Sequence, residues 1–172
     1  MPTSIALISD THGYIGKDVL KHVSDVDEIW HAGDIGNDET AEQLENIGPT
    51  LRMVWGNIDG PSLRAKYPLE QVFIADGLKV YIIHIGGYPG RIYKKAKDTI
   101  IKERPQLYVC GHSHILKVIR DQKHHLLHMN PGACGVAGFH KFRTMLKFDI
   151  ANGNIENLRV IELGIRGKVK MS

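Results

Sequence analysis

The chain has 172 residues, 42% hydrophobic and 24% charged, which argues against a disordered or fibrous class and suits a single domain over residues 1–172. A formal charge of +3, with Lys and Arg spread among Asp and Glu, gives no nucleic-acid footprint. No apolar stretch nears the roughly 20 residues of a membrane span, and "MPTSIALISD" lacks a basic leader and a small-residue cleavage site, so a soluble cytoplasmic protein is expected.

In chain order, the strand "SIALIS" leads to a helical pattern from Ile15 to Val23, and the strands "EIWHA" and "LRMVW" enclose a second helix from Asp38 to Ile47. That helix carries Ala41, Leu44 and Ile47 on one face, Asp38 as N-cap and Gly48-Pro49 as its stop. "QVFIA" and "KVYIIH" form a strand pair. A third helix runs from about Arg91 to Arg104, with Ile92, Ala96 and Ile100 four apart and Pro105 at its end. The rest is β-rich: "LYVCG", "LKVIRD", "HHLLHM", "MLKFDI" and "IENLRVIEL", with turns at Asp121 to Lys123 and Asn152-Gly153. Helices on the early strands and hairpins later predict an α/β fold of two packed sheets with helices on the outer faces. Cys110 and Cys134 make no disulfide framework and are read as thiols.

Metal-competent side chains gather just past the strands. Asp10 and His12 follow the first, Asp34 the second and Asn57 the third; His84 closes "VYIIH", and His112 and His114 follow "LYVCG". Ligands collect outside the carboxyl ends of parallel strands in such sheets, so these seven groups are expected to converge on one crevice. A glycine lies in or beside each cluster (Gly13, Gly33, Gly56, Gly86, Gly111), permitting tight turns and close backbone approach. Mixed carboxylate, imidazole and amide donors suit manganese, iron, zinc, cobalt or nickel, whereas calcium and magnesium favour oxygen alone. Seven groups are too many for one such ion, and two ions sharing Asp34 use them all. Two ions about 3.5–4 Å apart clamp an in-line displacement at phosphorus by a bridging hydroxide. Their charge, less two carboxylates and that hydroxide, leaves about +1 to attract a phosphate ester.

The ordered pieces Asp10-Thr11-His12, Gly33-Asp34, Gly56-Asn57-x-Asp59, His84 and Gly111-His112-Ser113-His114 resemble the signature of the calcineurin-like metallophosphoesterases, from the first strand to about residue 135. The length and "NPGA" at Asn130 to Ala133 are similar to the compact prokaryotic phosphodiesterase branch. The resemblance implies a four-layer αββα fold of two mixed sheets. It implies one ion on Asp10, His12, Asp34 and His114 and another on Asp34, Asn57, His84 and His112, with manganese first among the metals. It further implies a small phosphodiester as substrate and direct roles in its hydrolysis for Asp34, Asn57 and His112.

Three positions depart from the pattern. Ile58 stands where the family has histidine, "HIGG" replaces the H-G-H of many members, and Ala133 replaces a serine near the pocket rim. Loss of a general acid, typically worth about 10²–10⁴-fold, weighs most on poor leaving groups, so diesters with acidic leaving groups are expected over alkyl monoesters. Asp59, with no imidazole to orient, is assigned to the shell behind the ligands, bonded to backbone or a neighbour. His31 is read either as such a partner or as a satisfied core histidine. Arg91, in the loop "GGYPGR", and His140, in the loop after "NPGA", are candidate substrate contacts, His140 also as a replacement proton donor. His22, His124, His125 and His128 are read as structural, with alternation in "HHLLHM" suggesting one exposed face. The competing readings are a weak or inactive protein-binding scaffold, since a retromer coat subunit resembles this fold and also lacks the motif histidine, and a phosphomonoesterase. Homo-oligomerisation is left open.

Overall fold

The strand Thr3–Ile8 (β1) is buried on both faces, and its neighbours show why. The structure, a computed structural model, describes residues 1–168. After β1 come α1 (Lys17–Val23), β2 (Glu28–His31), α2 (Asp38–Glu45), β3 (Thr50–Met53), α3 (Pro61–Lys66), β4 (Glu70–Ala75) and β5 (Leu78–Ile83). A short ribbon, β6 (Gly87–Tyr88) and β7 (Arg91–Ile92), precedes α4 (Lys94–Glu103). β8 (Leu107–Val109), β9 (Leu116–Asp121), β10 (Leu126–Pro131), β11 (Phe142–Ala151), β12 (Asn154–Ile165) and a 3-10 turn at Arg166–Lys168 complete the described chain.

Two mixed five-stranded sheets result, ordered β12-β11-β1-β2-β3 and β4-β5-β8-β10-β9. In the first, β1, β2 and β3 run parallel and β11 is antiparallel to β1. In the second, β5, β8 and β10 run parallel, with β4 and β9 as antiparallel edges. Because successive strand residues face opposite sides, Ile5 and Leu7 enter the core between the sheets, with Trp30, Val80, Ile82, Val109 and Phe148. Trp30 meets Phe73 and Phe148 edge-on there, at centroid distances of 5.2 and 5.6 Å. Ala6 and Ile8 face outward onto Val19 and Val23 of α1 and Ala41 and Leu44 of α2. On the other sheet Tyr81, Ile83 and Tyr108 pack under Ala96 and Ile100 of α4. The layering is therefore helix, sheet, sheet, helix, as expected.

Some boundaries differ from the sequence reading. α1 starts at Lys17 and α2 is capped by Asn37, whose side chain accepts the Thr40 N–H at 2.8 Å, so Asp38 is the first helical residue. α4 starts at Lys94, because Arg91 and Ile92 pair with Tyr88 and Gly87 across the ribbon. α3 and the ribbon had no periodicity long enough to announce them. The exposed face expected in "HHLLHM" is not present at His128, which is 1% exposed. β10 lies between β8 and β9, and the Tyr108 ring covers His128 at 5.0 Å. No helix of the described residues is long and apolar enough to cross a membrane.

Leu7 and Ile8 are neighbours with opposite facings, both fully buried. Leu7→Ala and Ile8→Ala should each cost about 2–5 kcal/mol in denaturant unfolding. Ile74→Ala on the exposed side of β4 should stay within about 0.5 kcal/mol of the parent. A near-neutral result for either β1 variant would contradict a strand covered on both sides.

Candidate metal centre

The turns following β1, β2, β3, β5 and β8 bring all seven predicted side chains together. Asp10, His12 and His114 form one group and Asp34, His84 and His112 another, with ligand atoms in each group within 4.8 Å of one another. Asn57 joins the second group, its Oδ1 lying 2.9 Å from His112 Nδ1 and 3.2 Å from His84 Nε2. Asp34 stands between the groups, with Oδ1 3.2 Å from His84 Nε2 and Oδ2 3.6 Å from His12 Nε2.

The hydrogen-bond inventory shows what this cluster lacks. Asp10 Oδ2 accepts from the Ser9 hydroxyl at 2.6 Å and the His112 backbone N–H at 3.2 Å. Asp10 Oδ1 is buried without a donor, although His114 Nε2 is only 3.1 Å away. Ring protonation, assigned from what each nitrogen faces, explains this. His140 Nε2 faces the Gly135 carbonyl at 3.1 Å, which only accepts, so that nitrogen carries the proton. Neutral His140 then accepts at Nδ1 from His114 Nδ1–H, 3.1 Å away, and His114 Nε2 is left with a bare lone pair. His84 is fixed the same way, its Nδ1–H donating to the Ala32 carbonyl at 2.7 Å. Lone pairs of carboxylate and imidazole thus confront one another at hydrogen-bond distance. This is repulsive unless a cation lies between them, and the oxygen and nitrogen donors fit borderline divalent metals.

Both carboxylates are held in the charged form that ligation requires. Burial works to raise the Asp10 pKa, and positive charge facing it, whether a proton on His114 or His12 or a cation in its place, outweighs burial and holds the carboxyl below its usual range, with the Ser9 hydroxyl adding to the effect. Asp34 is lowered in the same sense, positive charge at His84 or a cation in its place acting with the Ile58 N–H against burial.

The backbone is bent to make this arrangement. Of ten non-glycine residues with positive φ among the described residues, five are candidate ligands: Asp10, His12, Asp34, His112 and His114. Residues in that region concentrate where surrounding structure over-determines them, often at functional sites. Gly33, at φ +95°, leaves its missing Cβ position to the His84 ring, 2.7 Å away, and a Cβ on Gly56 would collide with the Asp34 carboxylate.

The remaining predicted residues are placed as follows. Asp59 is buried and accepts the backbone N–H groups of Ile35 (3.1 Å), Gly36 (2.8 Å) and Gly56 (2.7 Å), tying the Asp34 turn to the Asn57 turn. His31, fully buried, accepts the Gly33 N–H at Nδ1 and meets the Thr11 hydroxyl at Nε2, and burial pushes its pKa down to about 4. It is a satisfied core histidine that also shapes two ligand turns. Ile58 is 45% exposed, and its contribution to the cluster is a backbone N–H to Asp34 Oδ1 at 3.1 Å. His140 lies behind His114 with both ring nitrogens engaged, unlike the free proton donor considered from sequence. Arg91 is exposed on the ribbon, its side chain without a hydrogen bond or ion pair among the described residues. Ala133 is fully buried, away from any rim.

Sequence reasoning missed three supports. Arg64 on α3 donates to the carbonyls of Asp59 (2.6 Å) and Asn57 (3.0 Å) and stacks over Trp55 at 4.5 Å. The Asn130 amide holds the Gly111 carbonyl at 2.9 Å, and Ser9 holds Asp10. "NPGA" and the serine preceding Asp10 were visible signals; for Arg64 there was none without α3.

His140→Ala should reduce metal affinity at the Asp10, His12 and His114 group by about 10–100-fold, the usual cost of losing an outer-shell histidine partner. Titration calorimetry should show the Asp34, His84 and His112 group retaining its affinity. Equal weakening of both would contradict the proton assignment.

Residues 4–153 match the calcineurin-like phosphoesterase superfamily domain. A probable metallophosphoesterase from Methanothermobacter thermautotrophicus is 28% identical over 134 residues, covering 75% of this chain and 76% of its own. Among solved structures, Vps29 from Chaetomium thermophilum superposes with a TM-score of 0.76 at 17% identity, covering 93% of this chain and 96% of that one. A structure described as a novel archaeal phosphodiesterase gives 0.69 at 21% identity, covering 92% and 99%. With the domain match spanning most of its length and the donor clusters in place, the chain belongs to the calcineurin-like phosphoesterase superfamily.

Proposed function

We propose that this protein is a phosphodiesterase that works with two divalent ions, manganese being the first to test. Asp10, His12, Asp34 and His114 would hold one ion, and Asp34, Asn57, His84 and His112 the other. The observation that carries the reading is the buried, donorless Asp10 Oδ1 facing imidazole lone pairs beside a second donor group that shares Asp34. When bound, two divalent ions supply Lewis acidity toward a phosphoryl oxygen and lower the pKa of water for attack at phosphorus.

The side chains around the ions favour diesters. The cleft over the two groups is lined by His12, Asp34, Asn57, Ile58, His112, Ser113, His114, Gly138 and Phe139. Every titratable residue among these is a candidate ligand, so none is free to protonate a departing alkoxide. Ile58 occupies the position of the motif histidine, and Asp59 spends its carboxylate on three backbone N–H groups. A leaving group must therefore be stable as an anion by itself. The scaffold reading has no use for a charged, buried Asp10 or for five ligands in strained backbone; those features support the enzyme reading over it. Two bound metal equivalents with turnover of bis(p-nitrophenyl) phosphate are the outcome that separates the two.

Asp34→Ala is expected to lose both metals and all activity, and Asn57→Ala to weaken only the second site, as measured by metal content after desalting. On aryl phosphodiesters of graded phenol pKa, wild type should show a steep dependence of kcat/KM on leaving group and poor turnover of alkyl monoesters. Ile58→His should flatten that slope by up to the ~10²–10⁴-fold of a general acid, for the worst leaving groups most. A shallow slope in wild type would mean that another group donates the proton.

A further inference from the structure

A second cleft, of about 90 Å³, starts at His112 and Ser113 and runs between the β6–β7 ribbon and the ends of β8 and β10. It is small beside the ~300–1,000 Å³ of a site for a whole drug-sized ligand, so it suits one substituent of a larger molecule. Tyr88, Tyr93 and Ile115 line it, although they are 42%, 48% and 62% exposed, so large apolar surface is left open to water beside the metal centre. Lys117 also lines it, its ammonium 4.0 Å from the centroid of the Tyr88 ring, which holds that ring in place and sets a cation at the wall.

The other wall holds His128, 1% exposed, whose Nδ1 has no hydrogen-bond partner. A buried polar atom without a partner costs free energy, and a ligand group that pairs with it recovers that cost. Burial pushes the His128 pKa down to about 4, so near neutral pH the ring is uncharged and pairs with a neutral polar edge better than with an anion. Aromatic walls with a few polar positions among them select a flat ring with a heteroatom edge over an alkyl chain.

We propose that this cleft is the subsite for a heteroaromatic ring carried by the diester, stacked by Tyr88 and Tyr93 and read at its edge by His128. The inference rests on the diesterase reading, because the cleft reaches the metal centre through His112. It makes the ring, rather than the phosphate, the part of the substrate that sets specificity.

The experiment compares two diesters with the same p-nitrophenolate leaving group, methyl p-nitrophenyl phosphate and thymidine 5′-(p-nitrophenyl phosphate), on manganese-loaded protein. The thymidine ester should have a kcat/KM higher by about tenfold or more, chiefly through KM, in line with base–aromatic stacking. Tyr93→Ala and His128→Leu should bring that ratio towards one, and Ile74→Ala should leave it unchanged. A ratio near one in wild type overturns the proposal. Thymidine alone, titrated into metal-free protein by NMR, tests the cleft independently of turnover. Shifts at Tyr88, Tyr93 and His128 support it, and no shifts there overturn it. Failure to hydrolyse either ester despite such shifts would instead strike the diesterase reading.

Discussion

Electron-rich side chains repel one another, and the centre of this protein forces seven of them to face inward. The rest of the structure can be understood as the means of holding that arrangement. Carbonyls of Ala32 and Gly135 anchor ring protons, directly on His84 and through His140 on His114, so that the opposite nitrogens stay bare. Left-handed backbone at five of the candidate ligands turns their side chains where a regular strand or helix could not. Two sheets packed over Trp30 and Phe148 supply the rigidity that keeps the strained turns from relaxing. Stability and site geometry are therefore coupled: the same strands that bury the core end in the candidate ligands.

Much of the fold was legible because its strands carry plain signals. Ten β-branched runs mark ten strands, and the early alternation of strands with helices marks the parallel pairing of β1, β2 and β3. What escaped was too short or too dependent on tertiary contact. The six residues of α3 have no helical period to show, and the β6–β7 ribbon is two residues a side. His128 fell on a polar-looking strand whose burial depends on which strands flank it, which sequence spacing does not disclose.

The site divides along the same line. Its candidate ligands were visible as residue types at strand ends, since their chemistry is in their side chains. The groups that orient them were mostly invisible, because backbone carbonyls have no letter in the sequence and Arg64 works through two of them. His140 shows the difference well. Its identity suggested proton chemistry, and only the geometry gives it the quieter task of fixing another imidazole.

The clamp formed by Asp59 has a consequence for how this site can change over time. In holding three backbone N–H groups it secures the Asn57 turn without any help from the side chain at position 58, which is half-exposed at the cleft. What position 58 gives the centre is a peptide N–H, which every residue but proline can give. The hold on the turn and the side chain that lines the cleft are thus assigned to adjacent residues that do not constrain each other. A lineage carrying this turn can exchange the side chain at 58, and with it one wall of the cleft over the candidate metal centre, while the scaffold beneath stays as it is.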